Sequence, residues 1–224
     1  MMHRPAGPAE QSPLEDYEHA TARQEMVEKQ IRRRGVGDLR VLSAMEQVER
    51  HRFVPGTHYP FAYDDSALPI GSSQSISQPY MVAAMTEALR PTPDCKILEV
   101  GTGSGYQTEV LAEIVERVYT IERLDELSLE ARPILDELGY TNIEFRIGDG
   151  SKGWPEEAPF DGILVTAGAT HVPEPLLEQL AEGASLVIPV GGRVDQDLYE
   201  IRREGTGYKE RFITRCRFVP LVEG

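Results

Sequence analysis

Lys96-Ile97-Leu98-Glu99-Val100-Gly101-Thr102-Gly103-Ser104-Gly105-Tyr106 is the stretch that decides the fold. A short apolar run carries an acid near its end, three glycines follow at alternate positions, and a helical pattern begins at Tyr106. Glycine removes the side chain, so a ligand can lie directly against the backbone of such a turn. An open parallel sheet offers the carboxyl end of a strand to a nucleotide-like ligand in this way. Glu99, placed at the mouth of the loop, would repel a pyrophosphate and attract a ligand with a cationic end. The spacing also departs from the dinucleotide fingerprint, whose third glycine would stand where Tyr106 is.

Outward from this loop, strand and helix patterns alternate. Apolar runs predict strands at 97–100, 118–121, 143–147, 162–165 and 185–190. Helical periodicity covers 14–34, 38–48, 79–89, 106–116, 124–138 and 173–180. In the second of these helices Leu39, Leu42 and Met45, with Val41, are expected to face inward, behind an Asp38 cap. Strands at 197–203 and 211–219, joined by a turn at Gly205 and Gly207, close the chain as an antiparallel pair. The fold class is therefore α/β. It is a doubly wound, Rossmann-like, mostly parallel sheet with helices on both faces, an N-terminal helical extension and C-terminal antiparallel strands. Residues 1–13, rich in proline, read as a disordered tail. Residues 14–224 read as one domain, with N-terminal helices and a substrate segment over 14–90 and a ligand-binding core over 91–224. The segment 50–80 is irregular, and its aromatics (Phe53, Tyr59, Phe61, Tyr63, Tyr80) argue for packed order.

With 224 residues the chain is long enough for a sizeable core, and 40% hydrophobic with 27% charged residues is ordinary for a globular protein. The formal net charge of −14 would be repelled by phosphates, so no nucleic-acid partner is expected. The basic run Arg32-Arg33-Arg34 reads as a solvated helix end. Cys95 and Cys216 are the two cysteines and sit in no metal or redox spacing, which points to a reducing compartment, the cytoplasm. No apolar run suits a membrane span, and the N-terminus lacks the apolar core of a secretory signal.

Four successive strands end in polar or glycine-rich turns. Glu122 ends the second strand, where a carboxylate can accept both hydroxyls of a ribose. Asp149 ends the third, placed to accept from an adenine amino group. Each acid alone could be a helix-dipole partner, a surface charge or a turn former. All three at successive strand ends after a glycine loop point to a nucleoside ligand, with S-adenosylmethionine suiting the acid at Glu99. A nicotinamide-dependent oxidoreductase loses on glycine spacing and on Glu99, whereas a nucleoside sensor without turnover remains compatible with the fold.

Several segments together resemble one family. They include 48–55 (Val-Glu-Arg-His-Arg-Phe-Val-Pro), 67–71 (Ala-Leu-Pro-Ile-Gly), Gln74-Ser75-Ile76-Ser77-Gln78-Pro79-Tyr80-Met81, the glycine loop as 98–107 (Leu98 to Gln107), Gly148-Asp149-Gly150, 159–161, 186–191 and 217–221. The core resembles the class I S-adenosylmethionine-dependent methyltransferases, and the whole of it from about Met26 onward resembles protein-L-isoaspartate (D-aspartate) O-methyltransferases. The glycine loop speaks only for the superfamily, while the segment before it, Gln-x-Ile-Ser-x-Pro, is the specific element. The resemblance implies methyl transfer from S-adenosyl-L-methionine to L-isoaspartyl and D-aspartyl residues of damaged proteins and peptides. A monomer is expected, although no residue of the sequence fixes the oligomeric state. It places the active-site serine at Ser77. It assigns the cofactor to Ser75, Ile76, Glu99, Gly101, Thr102, Gly103, Ser104, Gly105, Glu122, Arg123, Asp149 and Gly150. An extended peptide substrate is expected along Ile76, Ser77, Pro189, Val190 and Gly191. One departure is Ser75, where the family usually has threonine. Methylation of another carboxylate or amide is the alternative within the superfamily. No metal is implied.

A carboxylate is already an anionic nucleophile at neutral pH. Ser77 is therefore read as a positioning donor. A serine hydrolase would need a histidine base oriented by an acid, and Ser77 lacks the Gly-x-Ser-x-Gly context. The other role open to Ser77 is an N-cap for the helix that opens at Pro79.

Overall fold

The computed structural model describes residues 13–224, with side chains from Tyr17 onward. The expectation of a disordered tail therefore lies outside the described residues, except for Pro13. Helix α1 (Pro13–Met26) begins there and continues through one π turn (Val27–Ile31) and one 3-10 turn (Arg32–Arg34). Gly35 then stops it in the left-handed region at φ +101°. The basic run is solvated as expected, with Arg32 paired to Glu28 at 3.1 Å and Arg34 to Asp65 at 3.1 Å.

Helix α2 (Leu39–Gln47) is capped by Asp38, which accepts from the backbone N–H of Arg40 at 2.9 Å. Its buried stripe is Val41, Leu42, Ala44 and Met45. Leu39 is a correction, because it is 74% exposed. With 3.6 residues per turn it falls nearly opposite that stripe.

The long segment that follows is ordered by two 3-10 turns (Arg50–Phe53 and Gly56–Phe61) and by a hairpin of β1 (Leu68–Gly71) and β2 (Gln74–Ile76). Phe53 and Tyr63 are buried, whereas Tyr59 and Phe61 are exposed. His51 is buried, with Nδ1 2.7 Å from the Tyr63 hydroxyl and its ring stacked on His19 at 4.0 Å. Burial, and then the charges of His19, Arg23 and Arg52, push its pKa down to about 4. This neutral imidazole ties α1 to the segment.

Helix α3 (Pro79–Leu89) leads into β3 (Lys96–Val100), α4 (Tyr106–Ala112), β4 (Arg117–Glu122), α5 (Asp125–Glu137) and β5 (Ile143–Ile147). Then come β6 (Phe160–Val165), α6 (Glu174–Glu178), β7 (Leu180–Gly191), β8 (Gln196–Glu204) and β9 (Gly207–Cys216). The seven strands lie in the order β5-β4-β3-β6-β7-β8-β9. The first five are parallel, and β8 and β9 are antiparallel additions. The expected sheet is thus present.

Several boundaries differ from expectation, among them the end of α4 at Ala112 rather than 116 and the start of β9 at Gly207 rather than 211. The helix expected at 173–180 shortens to α6, because Leu180 already pairs with Phe160. A register shift and Gly183 at φ +77° then carry β7 on to the expected strand. The last strand stops at Cys216 rather than at 219. Pro220 has no N–H to give a ladder, and the Phe218 N–H turns instead to Gln196 Oε1 at 2.6 Å.

The pleat sends alternate residues to opposite faces. Ile97 belongs to the core that also holds Met45 of α2, Met85 of α3 and Val110 of α4, while Leu98 belongs to a second core with Ile163, Leu186 and, from α6, Leu176. Each such side chain contributes roughly 1.5–3 kcal/mol on burial.

Candidate active site

The chain runs outward from β3 to β4 to β5 and then returns to place β6 on the other side of β3. Ligands bind in the crevice at such a switch point, and the glycine loop after β3 falls in it. The loop is fixed from both neighbouring strands. Gly101 N–H donates to Ile121 O at 2.8 Å, and Thr166 N–H donates to Val100 O at 2.9 Å. The Thr166 hydroxyl donates to Val100 O at 3.0 Å and Gly101 O at 2.7 Å. Gly101 sits at φ +99°, and a Cβ there would lie 2.3 Å from Thr166 Oγ1. Gly105, at φ +92°, abuts Ala131 and Leu135 and lets α4 start against α5.

Around this loop is an open cleft, with about 1040 Å³ of empty space when the solvent at its mouth is included. Of the residues expected in the site, it is lined by Ser75, Ile76, Ser77, Gly101, Thr102, Gly103, Ser104, Glu122, Arg123 and Gly150. The β1–β2 hairpin delivers the first three. Ser77 is half-buried and makes no hydrogen bond with the protein among the described residues. It is not the cap of α3, a place taken by Gln78 without a side-chain bond. Among the described residues no histidine lines the cleft; His51 is held by Tyr63 and His171 lies on the surface beside Thr170. That removes the dyad a hydrolase would need.

Glu122 faces the loop from the end of β4. Its Oε2 accepts from Gly103 N–H at 2.9 Å and its Oε1 from Leu124 N–H at 2.9 Å. Each oxygen keeps acceptor capacity for a further donor. Arg123 is exposed at the rim.

Glu99 is a correction. It does not stand at the mouth of the loop. It is 0% exposed, points toward α4, and its Oε2 accepts from Thr108 Oγ1 at 2.6 Å and Thr120 Oγ1 at 2.7 Å. Its Oε1 has no partner among the described residues. Burial raises its pKa to about 8, against the two threonine bonds that lower it. At neutral pH it is a buried acid rather than an attracting charge. The register explains the error, because Glu99 shares a face with Ile97, which packs under the helices.

Asp149 also lies off the main cleft, in an adjoining hollow with Arg146, Lys152 and Pro155. Burial raises its pKa, but bonds from the Ser151 hydroxyl, Gly224 N–H, Ser151 N–H and Lys152 outweigh that and hold it at about 2. Gly224 N–H is 2.9 Å from Oδ2. An adenine amino group would have to share a carboxylate already in use. Pro189, Val190 and Gly191 are outside the cleft too. They abut the next turn, with Ala169 N–H donating to Pro189 O and Gly191 N–H to Ala169 O, both at 2.9 Å.

Unanticipated parts of the wall are Gln107, Thr166 and 219–222. Gly168 N–H donates to Val219 O at 2.7 Å and Leu221 N–H to Gly168 O at 2.8 Å, so the last residues fold back over the strand ends. Pro220 was the available signal that the strand ends early enough to do so.

A glycine turn with three positive φ angles, an acid at the neighbouring strand end and a largely apolar cleft fit a nucleoside with an extended tail. Together with the sheet they define a class I S-adenosylmethionine-dependent methyltransferase. The model of the Protein-L-isoaspartate(D-aspartate) O-methyltransferase (PCMT) family matches residues 21–224. The chain belongs to that family. It is 50% identical over 206 residues to the protein-L-isoaspartate O-methyltransferase of Methanoregula boonei, covering 92% of this chain and 95% of the relative. The corresponding protein of Geobacter metallireducens is 54% identical over 202 residues, covering 90% and 94%. A solved Plasmodium falciparum structure, described as a protein-L-isoaspartate O-methyltransferase in complex with S-adenosyl-L-homocysteine, superposes with a TM-score of 0.77. It shares 26% identity and covers 92% of this chain and 99% of that one.

Proposed function

We propose that this chain transfers the methyl group of S-adenosylmethionine to the free carboxylate of L-isoaspartyl residues, and of D-aspartyl residues, in damaged proteins and peptides. The observation that carries this reading is Ser77. Its hydroxyl has no protein partner among the described residues and lies on the wall of the same cleft as the glycine loop. In this reading Gly101, Thr102, Gly103 and Ser104 form the floor under the cofactor. Glu122 takes the ribose, and Arg123 and Gly150 flank the base. Asp149 reaches the base only by sharing its bond to Gly224. The peptide runs past Ile76 toward the Pro189-Val190-Gly191 rim.

S-adenosylmethionine supplies a methyl group on an activated sulfonium, so the attacking carboxylate needs no general base. The protein's task is orientation, which supplies roughly 7–11 kcal/mol in well-aligned cases. Ser77 aims the carboxylate by donating to one of its oxygens. The apolar wall of Ile76, Val82, Val100 and Leu127 keeps water from both charges, which cancel as the bond forms. The ester leaves the enzyme and closes to a succinimide as the following backbone nitrogen attacks its carbonyl and expels methanol, and the succinimide then hydrolyses in part to normal aspartate.

Two peptides that differ only in L-isoaspartate against L-aspartate test this with labelled S-adenosylmethionine. Label is expected in the first alone, and equal labelling of both would refute the substrate assignment. Ser77→Ala is expected to lower kcat about 10-fold with an unchanged KM for S-adenosylmethionine. That is less than the ~10²–10³ lost with an oxyanion-hole donor, because here charge disappears rather than builds. A fall in kcat under twofold would remove Ser77 from the mechanism.

The reading treats 14–224 as one domain. In support, Met26, Leu42 and Met85 share one core with Val110, Leu164 and Val187. It also places the enzyme in the cytoplasm as a monomer, which sedimentation and fractionation would test. No described helix is long and apolar enough to cross a membrane.

A further inference from the structure

With Glu99 sealed away, Glu122 and Arg123 are, among the described residues, the charged ones on the cleft wall. Glu122 already serves Gly103 and Leu124 at the end of β4. Something else must meet the ammonium of the cofactor's amino-acid end, and the cleft holds a candidate in Gln107. This side chain is only 7% exposed yet lines the cleft beside Val82. Its Nε2 donates to Thr86 Oγ1 at 2.9 Å, and Thr86 Oγ1 donates to Val82 O at 2.8 Å. Thr86 has spent its proton, so it must accept from Gln107, and the amide cannot be flipped. Its carbonyl oxygen is therefore the free end. Oε1 has no protein partner among the described residues and, unlike Glu99 Oε1, is not a sealed orphan.

We propose that Gln107 is a cofactor-binding residue whose Oε1 accepts a hydrogen bond from the ammonium of the amino-acid end of S-adenosylmethionine. This rests on the cleft being the cofactor site. A neutral acceptor suits the reaction, since a carboxylate there would hold the positive charge that methyl transfer must discharge. The same amide is the one side-chain bond between α3, which follows Ser77, and α4, which follows the glycine loop, among the described residues. Thr86 thus acts as a positioning residue, holding the acceptor toward the ligand.

The test compares two ligands by calorimetry. S-adenosylhomocysteine carries the amino-acid end, whereas 5′-methylthioadenosine is the same thioether cut short before it. Gln107→Leu is expected to weaken S-adenosylhomocysteine about 10- to 100-fold, the usual worth of a bond to a charged group. It should leave 5′-methylthioadenosine within twofold, which also reports that the cleft is folded. Thr86→Val should produce a smaller loss with the same selectivity. Equal losses for both ligands would mean a structural role and overturn the proposal, as would no loss for either. A normal S-adenosylhomocysteine affinity with a raised peptide KM would assign the amide to the substrate and overturn it too. If the unaltered protein binds neither ligand, it is the cofactor-site reading that fails.

Discussion

Gly101→Ala is expected to weaken S-adenosylhomocysteine binding more than 100-fold in a protein that still folds. Two independent costs meet at this residue. The backbone sits at φ +99°, where an L side chain is strained by about 1–3 kcal/mol. The added Cβ would also lie 2.3 Å from Thr166 Oγ1. Thr166 cannot simply turn away, because its hydroxyl is shared between Val100 O and Gly101 O. Either those two bonds are given up or the loop shifts, and the cleft is its open side. A 100-fold loss corresponds to about 2.7 kcal/mol, within reach of the strain and the clash together. The double variant Gly101→Ala/Thr166→Ala separates them. It removes the clash and keeps the strain, so it should recover part of the affinity. Calorimetry checks both, and a single variant that binds within threefold of the unaltered chain would disprove this account of the loop.

The architecture was legible because its signals were local and repeated. β3 and the glycine loop declare themselves in eleven residues, and α5 carries Leu127, Ala131 and Leu135 at helical spacing to a stop at Gly139. What escaped was whatever depended on tertiary context. The β1–β2 hairpin turns on Ser72 and Ser73, both at positive φ (46° and 58°). Such turns favour Asn-Gly, and two serines gave no hint of one. Yet this hairpin delivers Ser77. The position of Glu99 was fixed by chain order, but its direction was fixed by the pleat, and the pleat turns it from the ligand to the helices. The wall at 219–222 comes from the far end of the chain and could be placed only once Gly168 was seen to pair with it. Gln107 followed the glycine loop in plain view, but nothing in the sequence joins it to Thr86.

The sealed position of Glu99 makes its replacement informative about stability. Its folded pKa of about 8 lies above the ordinary 4.5, so the folded state binds a proton that the unfolded state releases. Stability from this group is full below about pH 4.5 and is lost as pH rises toward 8. The loss approaches roughly 5 kcal/mol once both states are ionised, taking about 1.4 kcal/mol per pH unit of separation. A glutamine in its place would not titrate. In Glu99→Gln the amide oxygen can still accept from Thr108 and Thr120, but the amide nitrogen stands where Oε1 finds no partner. At pH 5 the variant should therefore be no more stable than the unaltered protein, and less so if that nitrogen stays unpaired. Above pH 8 the order should reverse. Glu109, which burial raises to about 7, titrates in the same window but in both proteins alike, so it cancels in the comparison. Urea unfolding at pH 5, 7 and 9 measures the difference, and curves that stay parallel across that range would show that Glu99 does not carry a buried proton. A crossing would establish that the acid of the glycine-loop motif serves here as a neutral strut beneath the loop.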